Sequence, residues 1–171
     1  VDLPYTSNTE ALISWEFSRI IGSCFGRFKK CLILDLDNTL WGGIIGDDGL
    51  EGIQIGGDGN GLIYSAIQHW ALGLKENGIL LAICSKNTKK LAEEPFLKHP
   101  NMVLSLSDIA VFVANWSNKA ENIKYIKETL NIDYNSMVFI DDNPVEREIV
   151  QQSFPDVTVP EIPEDLADVP D

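Results

Sequence analysis

Lys30-Cys31-Leu32-Ile33-Leu34-Asp35-Leu36-Asp37-Asn38-Thr39-Leu40-Trp41 passes from four apolar residues to two carboxylates within a few positions. Cys31 to Leu34 read as a short buried strand. Residues two apart on a strand point to the same side, so Asp35 and Asp37 can face one spot at its C-terminal edge. In an open α/β sheet that edge is where ligands bind. Two neighbouring like charges are costly unless a cation or a shared proton offsets them. The pattern therefore suggests a magnesium site, a nucleophile with a general acid beside it, or both. A strand end whose acids are merely solvated is the plain alternative.

Working outward, apolar positions Leu12, Ile13, Trp15, Phe17, Ile20 and Ile21 predict an amphipathic helix over Asn8–Ile21. After Trp41, Gly42 to Gly49 with Asp48-Gly49 at the tip reads as a small hairpin. The cluster Gly56 to Gly61 fits neither a dinucleotide fingerprint nor an EF-hand, and reads as a lead-in to a helix over about 62–77. Ile79–Cys84 is expected as a strand ending in Ser85-Lys86-Asn87-Thr88, followed by a helix to about Leu97 and a short strand at Met102–Leu106. A helix over Asn118–Leu130 and a strand at Met137–Ile140 follow. Asp141-Asp142-Asn143-Pro144 then opens a helix to about Gln152, with Pro144 suited to its first turn. Val157–Val159 is the last expected strand. Strands alternating with helices imply a parallel sheet with helices on both faces. The expected organisation is an N-terminal helix and lead-in (1–30), a catalytic core (31–160) and an acidic tail (161–171).

The 171 residues suffice for one hydrophobic core. A net charge of −13 argues against a nucleic-acid partner, whose binding needs basic patches. No apolar run approaches membrane-spanning length and no signal peptide opens the chain. Cys24, Cys31 and Cys84 form no CxxC pair, which points to a reducing, cytoplasmic setting and away from zinc. The sequon at Asn115 carries no weight in such a setting. Val1 in place of Met suggests a domain cut from a longer protein.

Three strand ends carry polar chemistry: Asp35 with Asp37, then Ser85, then Asp141 with Asp142, and Lys119 stands at a helix start between the last two. In this order they resemble the haloacid dehalogenase (HAD) superfamily of phosphotransferases, over Cys31 to about Pro160. The resemblance implies an α/β, Rossmann-like parallel sheet and an aspartyl-phosphate mechanism. Phosphoryl transfer of this kind depends mainly on positioning and charge stabilisation. Asp35 would attack phosphorus, and Asp37 would protonate the leaving oxygen and later activate water. Ser85 would hold the transferring oxygens and Lys119 would neutralise their charge. Mg²⁺ would be held by Asp35, the carbonyl of Asp37 and Asp142, with Asp141 a ligand through water or a partner orienting Lys119; the order of these last two acids could be reversed. Neither of the superfamily's cap insertion points has room for a domain, so no large cap is expected and the site should be open to large substrates.

The motif wording is closer still to one branch. Asp35-Leu36-Asp37-Asn38-Thr39-Leu40-Trp41-Gly42-Gly43, Ile83-Cys84-Ser85-Lys86-Asn87, Asn115-Trp116 with Lys119, and Phe139-Ile140-Asp141-Asp142-Asn143-Pro144 with Glu146-Arg147-Glu148 resemble FkbH-like domains. That resemblance implies dephosphorylation of 1,3-bisphosphoglycerate and loading of a glyceryl unit, as thioester, onto an acyl carrier protein of a polyketide pathway. Cys84, beside Ser85, is the favoured acyl-holding thiol, with a buried structural cysteine as the alternative. Asn38, Thr39, Trp41, Lys86 and Asn87 flank the motif positions and are expected around the substrate. A plain uncapped phosphatase and a non-catalytic docking module are the competing readings.

Overall fold

The computed structural model describes residues 29–57 and 59–162; the expected helix over Asn8–Ile21 and the tail beyond residue 162 lie outside these. Strands β1 (Cys31–Leu34), β2 (Leu80–Ser85), β3 (Ile109–Ala114) and β4 (Met137–Ile140) form one parallel sheet in the order β3-β2-β1-β4. Each strand of the β1–β4 pair is a four-residue apolar run, which suits strands covered on both sides. Leu34 is in register with Ile83 on one side and Ile140 on the other. Asp35 and Asp141 therefore leave the sheet side by side, and the Asp35 N–H donates to the Ile140 carbonyl at 3.0 Å.

The helices are α1 (Ile45–Gly52), α2 (Asn60–Glu76), α3 (Lys89–Lys98), α4 (Lys119–Leu130) and α5 (Pro144–Ser153). Alternate strand residues feed two separate cores, as the two-residue period requires. Leu32, Leu34, Ile83 and Ile140 meet Ile63 and Ile67 of α2 and Ala92 of α3. Cys31, Ile33, Cys84 and Phe139 meet Ile123 and Ile126 of α4 and Val150 of α5. The doubly covered α/β sheet read from the sequence is the one observed.

Two local readings are corrected. The glycine-rich segment after Trp41 is not a hairpin: Ile45–Gly52 is helical, interrupted at Gly49 (φ 68°, ψ 178°). Asp48 folds back so that its carboxylate accepts the Ile44 N–H at 2.7 Å, a local bond that draws the Asp-Gly pair into a turn of helix. The loop closes at its base, where Gly42 and Gln54 exchange backbone hydrogen bonds. The second correction moves the third strand. Met102–Leu106 is irregular, and Ile109–Ala114 pairs with β2 instead. Val103 and Leu104 donate their N–H groups to the Gln68 side chain, so those donors are satisfied outside any ladder. Val157–Val159 contributes a single parallel bridge, Thr158 to Val138.

These boundaries fix the surroundings of the strand ends. After β1 the chain inserts only the loop closed by Gly42 and Gln54, and after β3 only Asn115–Asn118 before α4. Among the described residues no cap domain occupies either place.

Candidate active site

The C-terminal edge of the sheet gathers its charge around Lys119. Asn118 caps α4 by accepting the Ala120 N–H at 2.8 Å, which sets the helix start and with it the lysine. Lys119 is 2% exposed, and its ammonium lies 3.0 Å from Asp35 Oδ1 and donates to Asp141 Oδ2. The Phe139 ring lies 5.9 Å beneath it. Burial alone would drive the lysine pKa down, but the flanking Asp35 and Asp141 outweigh this and hold it above its ordinary value. Burial likewise raises Asp35, against the pull of Lys119 and the Ser85 hydroxyl. Asp141 is pushed up to about 6, first by burial and then by the charge of Asp35. Asp142, half-buried, is raised by burial and by Asp141.

Three carboxylates and one ammonium, fully charged, leave two negative charges in a poorly solvated site. One oxygen of each of Asp35, Asp141 and Asp142 lies within 4.8 Å of the others. Asp35 Oδ1 is buried and has an ion pair but no aligned hydrogen-bond donor. An all-oxygen donor set with a surplus of two charges fits Mg²⁺, a hard divalent cation. Asp141 already accepts from Lys119 and from the Asn143 N–H at 2.9 Å. That leaves Asp35 and Asp142 as the carboxylates free to ligate directly, and Asp141 as the group that orients Lys119.

Asp37 stands apart from this cluster. Its Oδ1 accepts from the Trp41 indole at 2.9 Å and the Ile45 N–H at 3.0 Å, and its Oδ2 accepts from Asn87 at 3.0 Å. Three elements thus hold one carboxylate: the β1 loop, the start of α1 and the segment after β2. Such an arrangement suits a proton-transfer group whose position must survive a change of charge.

The other sequence-chosen residues divide by what they touch. Ser85 is buried at the end of β2, level with the cluster. Trp41 and Asn87 are buried and spend their side-chain donors on Asp37. Thr39 is buried and its hydroxyl accepts the Asp142 N–H at 3.2 Å. Asn38, at φ 53°, accepts the Gly43 N–H and closes the loop. Lys86 pairs with Glu146. In these five contacts the side chains of Trp41, Asn87, Thr39, Asn38 and Lys86 brace the segments around the site. Cys84 is fully buried among core residues; its sulfur lies 3.9 Å from the Lys119 carbonyl, and burial pushes its thiol up to about 12. A thiol in that state is a poor nucleophile, so the structure favours the packing role over the acyl-holding one. Cys31 is equally buried and raised to about 12 by the same cause.

Three residues here were not assigned from the sequence. Gln68 ties the loop after Asp37 to the chain beyond α3: it donates to the Leu40 carbonyl and accepts from Val103 and Leu104. A single polar residue in an amphipathic helix carries no signal of that role. Glu146 and Arg147 were quoted within a motif without a task. Arg147 donates to the carbonyls of Asp141 and Asp142, and Glu146 is buried against Lys86.

No family model matches the chain, and no curated protein matches it. Solved structures do. A HAD-superfamily hydrolase of subfamily IA from Geobacter sulfurreducens aligns with a TM-score of 0.50 at 13% identity, over 77% of this chain and 88% of that one. The chain shares its α/β fold with that enzyme. A HAD-family enzyme from Bacteroides thetaiotaomicron, solved with magnesium and inorganic phosphate, aligns with a TM-score of 0.52 at 15% identity over 80% of this chain and 96% of that one. The N-terminal part of BF1531 from Bacteroides fragilis, described as containing a phosphatase domain complexed with Mg, is 59% identical with a TM-score of 0.81. That match covers 87% of this chain and 40% of the other, so the present chain spans well under half of that relative. The loop after β1, the end of β2, the start of α4 and the turn after β4 share one edge of the sheet, which is where the residues above lie.

Proposed function

We propose that this chain is a Mg²⁺-dependent phosphatase that works through a phosphorylated Asp35. The observation carrying this reading is the pairing of Asp35 with a buried Lys119 at 3.0 Å, beside a second carboxylate, Asp37, held separately by three donors. In the first step an Asp35 oxygen bonds to phosphorus while the bond from phosphorus to the leaving oxygen breaks and Asp37 gives that oxygen its proton. In the second, Asp37 takes a proton from water, the water oxygen bonds to phosphorus, and the aspartyl–phosphate bond breaks to release phosphate. Lys119 and Ser85 face the phosphoryl oxygens. Mg²⁺ held by Asp35, Asp142 and the Asp37 carbonyl would offset charge on those oxygens, and the relatives solved with magnesium support that choice. The test is hydrolysis of p-nitrophenyl phosphate and acetyl phosphate with Mg²⁺. Asp35→Asn should lose at least about a thousandfold in kcat, the scale of other losses of a nucleophile. Full activity in that variant would sink the covalent mechanism.

The finer reading is that the phosphatase step serves transfer of a glyceryl unit from 1,3-bisphosphoglycerate to an acyl carrier protein. The motif wording and the uncapped edge support it. Cys31 and Cys84 are buried and Cys24 lies outside the described residues; on this reading the acceptor sulfur bonds to the acyl carbon of the three-carbon unit while the bond from that carbon to its phosphate oxygen breaks, releasing phosphate. An acidic carrier would need a local basic patch, at Arg27, Lys29 and Lys30 or at Lys86, Lys89 and Lys90; in the second, Lys86 pairs with Glu146 and Lys89 lies 3.7 Å from Glu93. Intact-mass spectrometry with Mg²⁺, 1,3-bisphosphoglycerate and a phosphopantetheinylated carrier separates the readings. A glyceryl-sized gain on the carrier supports transfer; released phosphate with an unmodified carrier leaves the phosphatase alone.

A further inference from the structure

Resting on the magnesium reading above, we propose that Arg147 is a positioning residue for the cation, holding the main chain of the Asp141–Asp142 turn in the shape that lets its carboxylates converge with Asp35. The Arg147 Nη1 donates to the Asp141 carbonyl at 2.8 Å and to the Asp142 carbonyl at 2.6 Å. One nitrogen thereby fixes two consecutive peptide units. From the other side, the Asp142 N–H donates to Thr39 in the β1 loop at 3.2 Å. The turn is pinned on both sides through its backbone, and both arginine bonds leave the carboxylate oxygens untouched.

Such pinning answers a specific stress. Three carboxylates within 4.8 Å repel one another, and movement of the main chain at 141 and 142 is one way for them to separate. The two Arg147 bonds oppose that movement. Its place on α5 is otherwise unfavourable, because a cation in the first turns of a helix opposes the helix dipole, whereas Glu146 beside it suits that dipole. A residue that breaks a local rule while making two charge-assisted bonds to a ligand-bearing turn is doing its work at the site. Lysine is a poor replacement: its ammonium ends one bond short of the Arg147 Nη1 position and has no planar group to aim one N–H at each carbonyl.

The experiment is calorimetric titration of MgCl₂ into the wild-type chain, Arg147→Lys and Arg147→Met, with melting temperatures measured in EDTA. Loss of a residue that orients metal ligands weakens binding by about 10–100-fold. The expected result is a Kd for Mg²⁺ raised at least about tenfold in Arg147→Met, partly recovered by added guanidinium, with the melting temperature in EDTA little changed. Unchanged Mg²⁺ affinity in both variants would overturn the proposal, as would an affinity loss matched by a large fall of the EDTA melting temperature. Should Arg147→Met fail to fold, Arg147→Lys decides by the same criteria. A wild-type chain that takes up no Mg²⁺ would instead overturn the magnesium reading itself.

Discussion

Lys119 is the residue on which the others depend, because it is the sole cation reported between Asp35 and Asp141 among the described residues. Replacing it with methionine keeps the volume and leaves two buried carboxylates facing each other. Breaking a buried pair from one side costs about 3–5 kcal/mol, so urea denaturation of Lys119→Met should show a loss of that size, smaller when Mg²⁺ is present. The thiols give the opposite expectation. Cys31 and Cys84 are fully buried with pKa values pushed up to about 12, so alkylation of the native chain followed by peptide mapping should leave both unmodified, while the unfolded chain labels at each. At this scale the sequence was most legible where chemistry demands a residue type. Asp35, Asp37, Ser85, Lys119, Asp141 and Asp142 were all named from their places beside predicted strand and helix ends. It was least legible for Asn38, Thr39, Trp41 and Asn87, where a side chain flanking a motif can face substrate or brace the motif, and only coordinates tell which.

At the scale of elements, most strands and helices follow from apolar runs and periodicity, and the two exceptions have local causes. Met102–Leu106 and Ile109–Ala114 are both short apolar runs; what separates them is the Gln68 side chain, which takes the donors of the first. No periodicity records that. The 3₁₀ turn Leu106–Asp108 that joins them offers its own test. Asp108 accepts from the Ser105 N–H at 2.8 Å and hydroxyl at 2.7 Å, and from Lys75 at 2.8 Å, tying α2 to the entry of β3. Burial raises its pKa, but the bonds from Lys75 and Ser105 prevail and hold it below 3.8. A depressed carboxylate contributes stability above its unfolded pKa and loses it as pH falls through the folded value. Asp108→Asn should therefore cost about 1 kcal/mol at neutral pH, and the gap to wild type should close as denaturation is repeated below pH 3.8.

At the scale of the whole molecule, the sheet separates two cores and leaves its uncompensated charge at one edge. A ligand that relieves this charge binds the folded chain alone and stabilises it by RT ln(1 + [L]/Kd), about 2.7 kcal/mol at a hundredfold excess over Kd. Scanning calorimetry should accordingly show a melting temperature that climbs with Mg²⁺ and returns to its starting value with EDTA. The fold class and the uncapped edge were readable from the order of strand ends and the short connections between them. The charge balance was not, because it depends on Lys119 being buried, and burial of a lysine is written in the packing of α4 against Phe139 rather than in its neighbours along the chain.

One consequence concerns light. The Trp41 indole is wholly buried, stacked edge-on to Phe96 at 6.1 Å, and its N–H rests on Asp37. Trp116, in the loop after β3, is 71% exposed. Iodide in solution silences an exposed indole and spares a buried one. Emission that survives iodide therefore includes an indole bonded to the proposed proton donor, so that its change on loss of that bond in Asp37→Ala is an optical signal from that carboxylate.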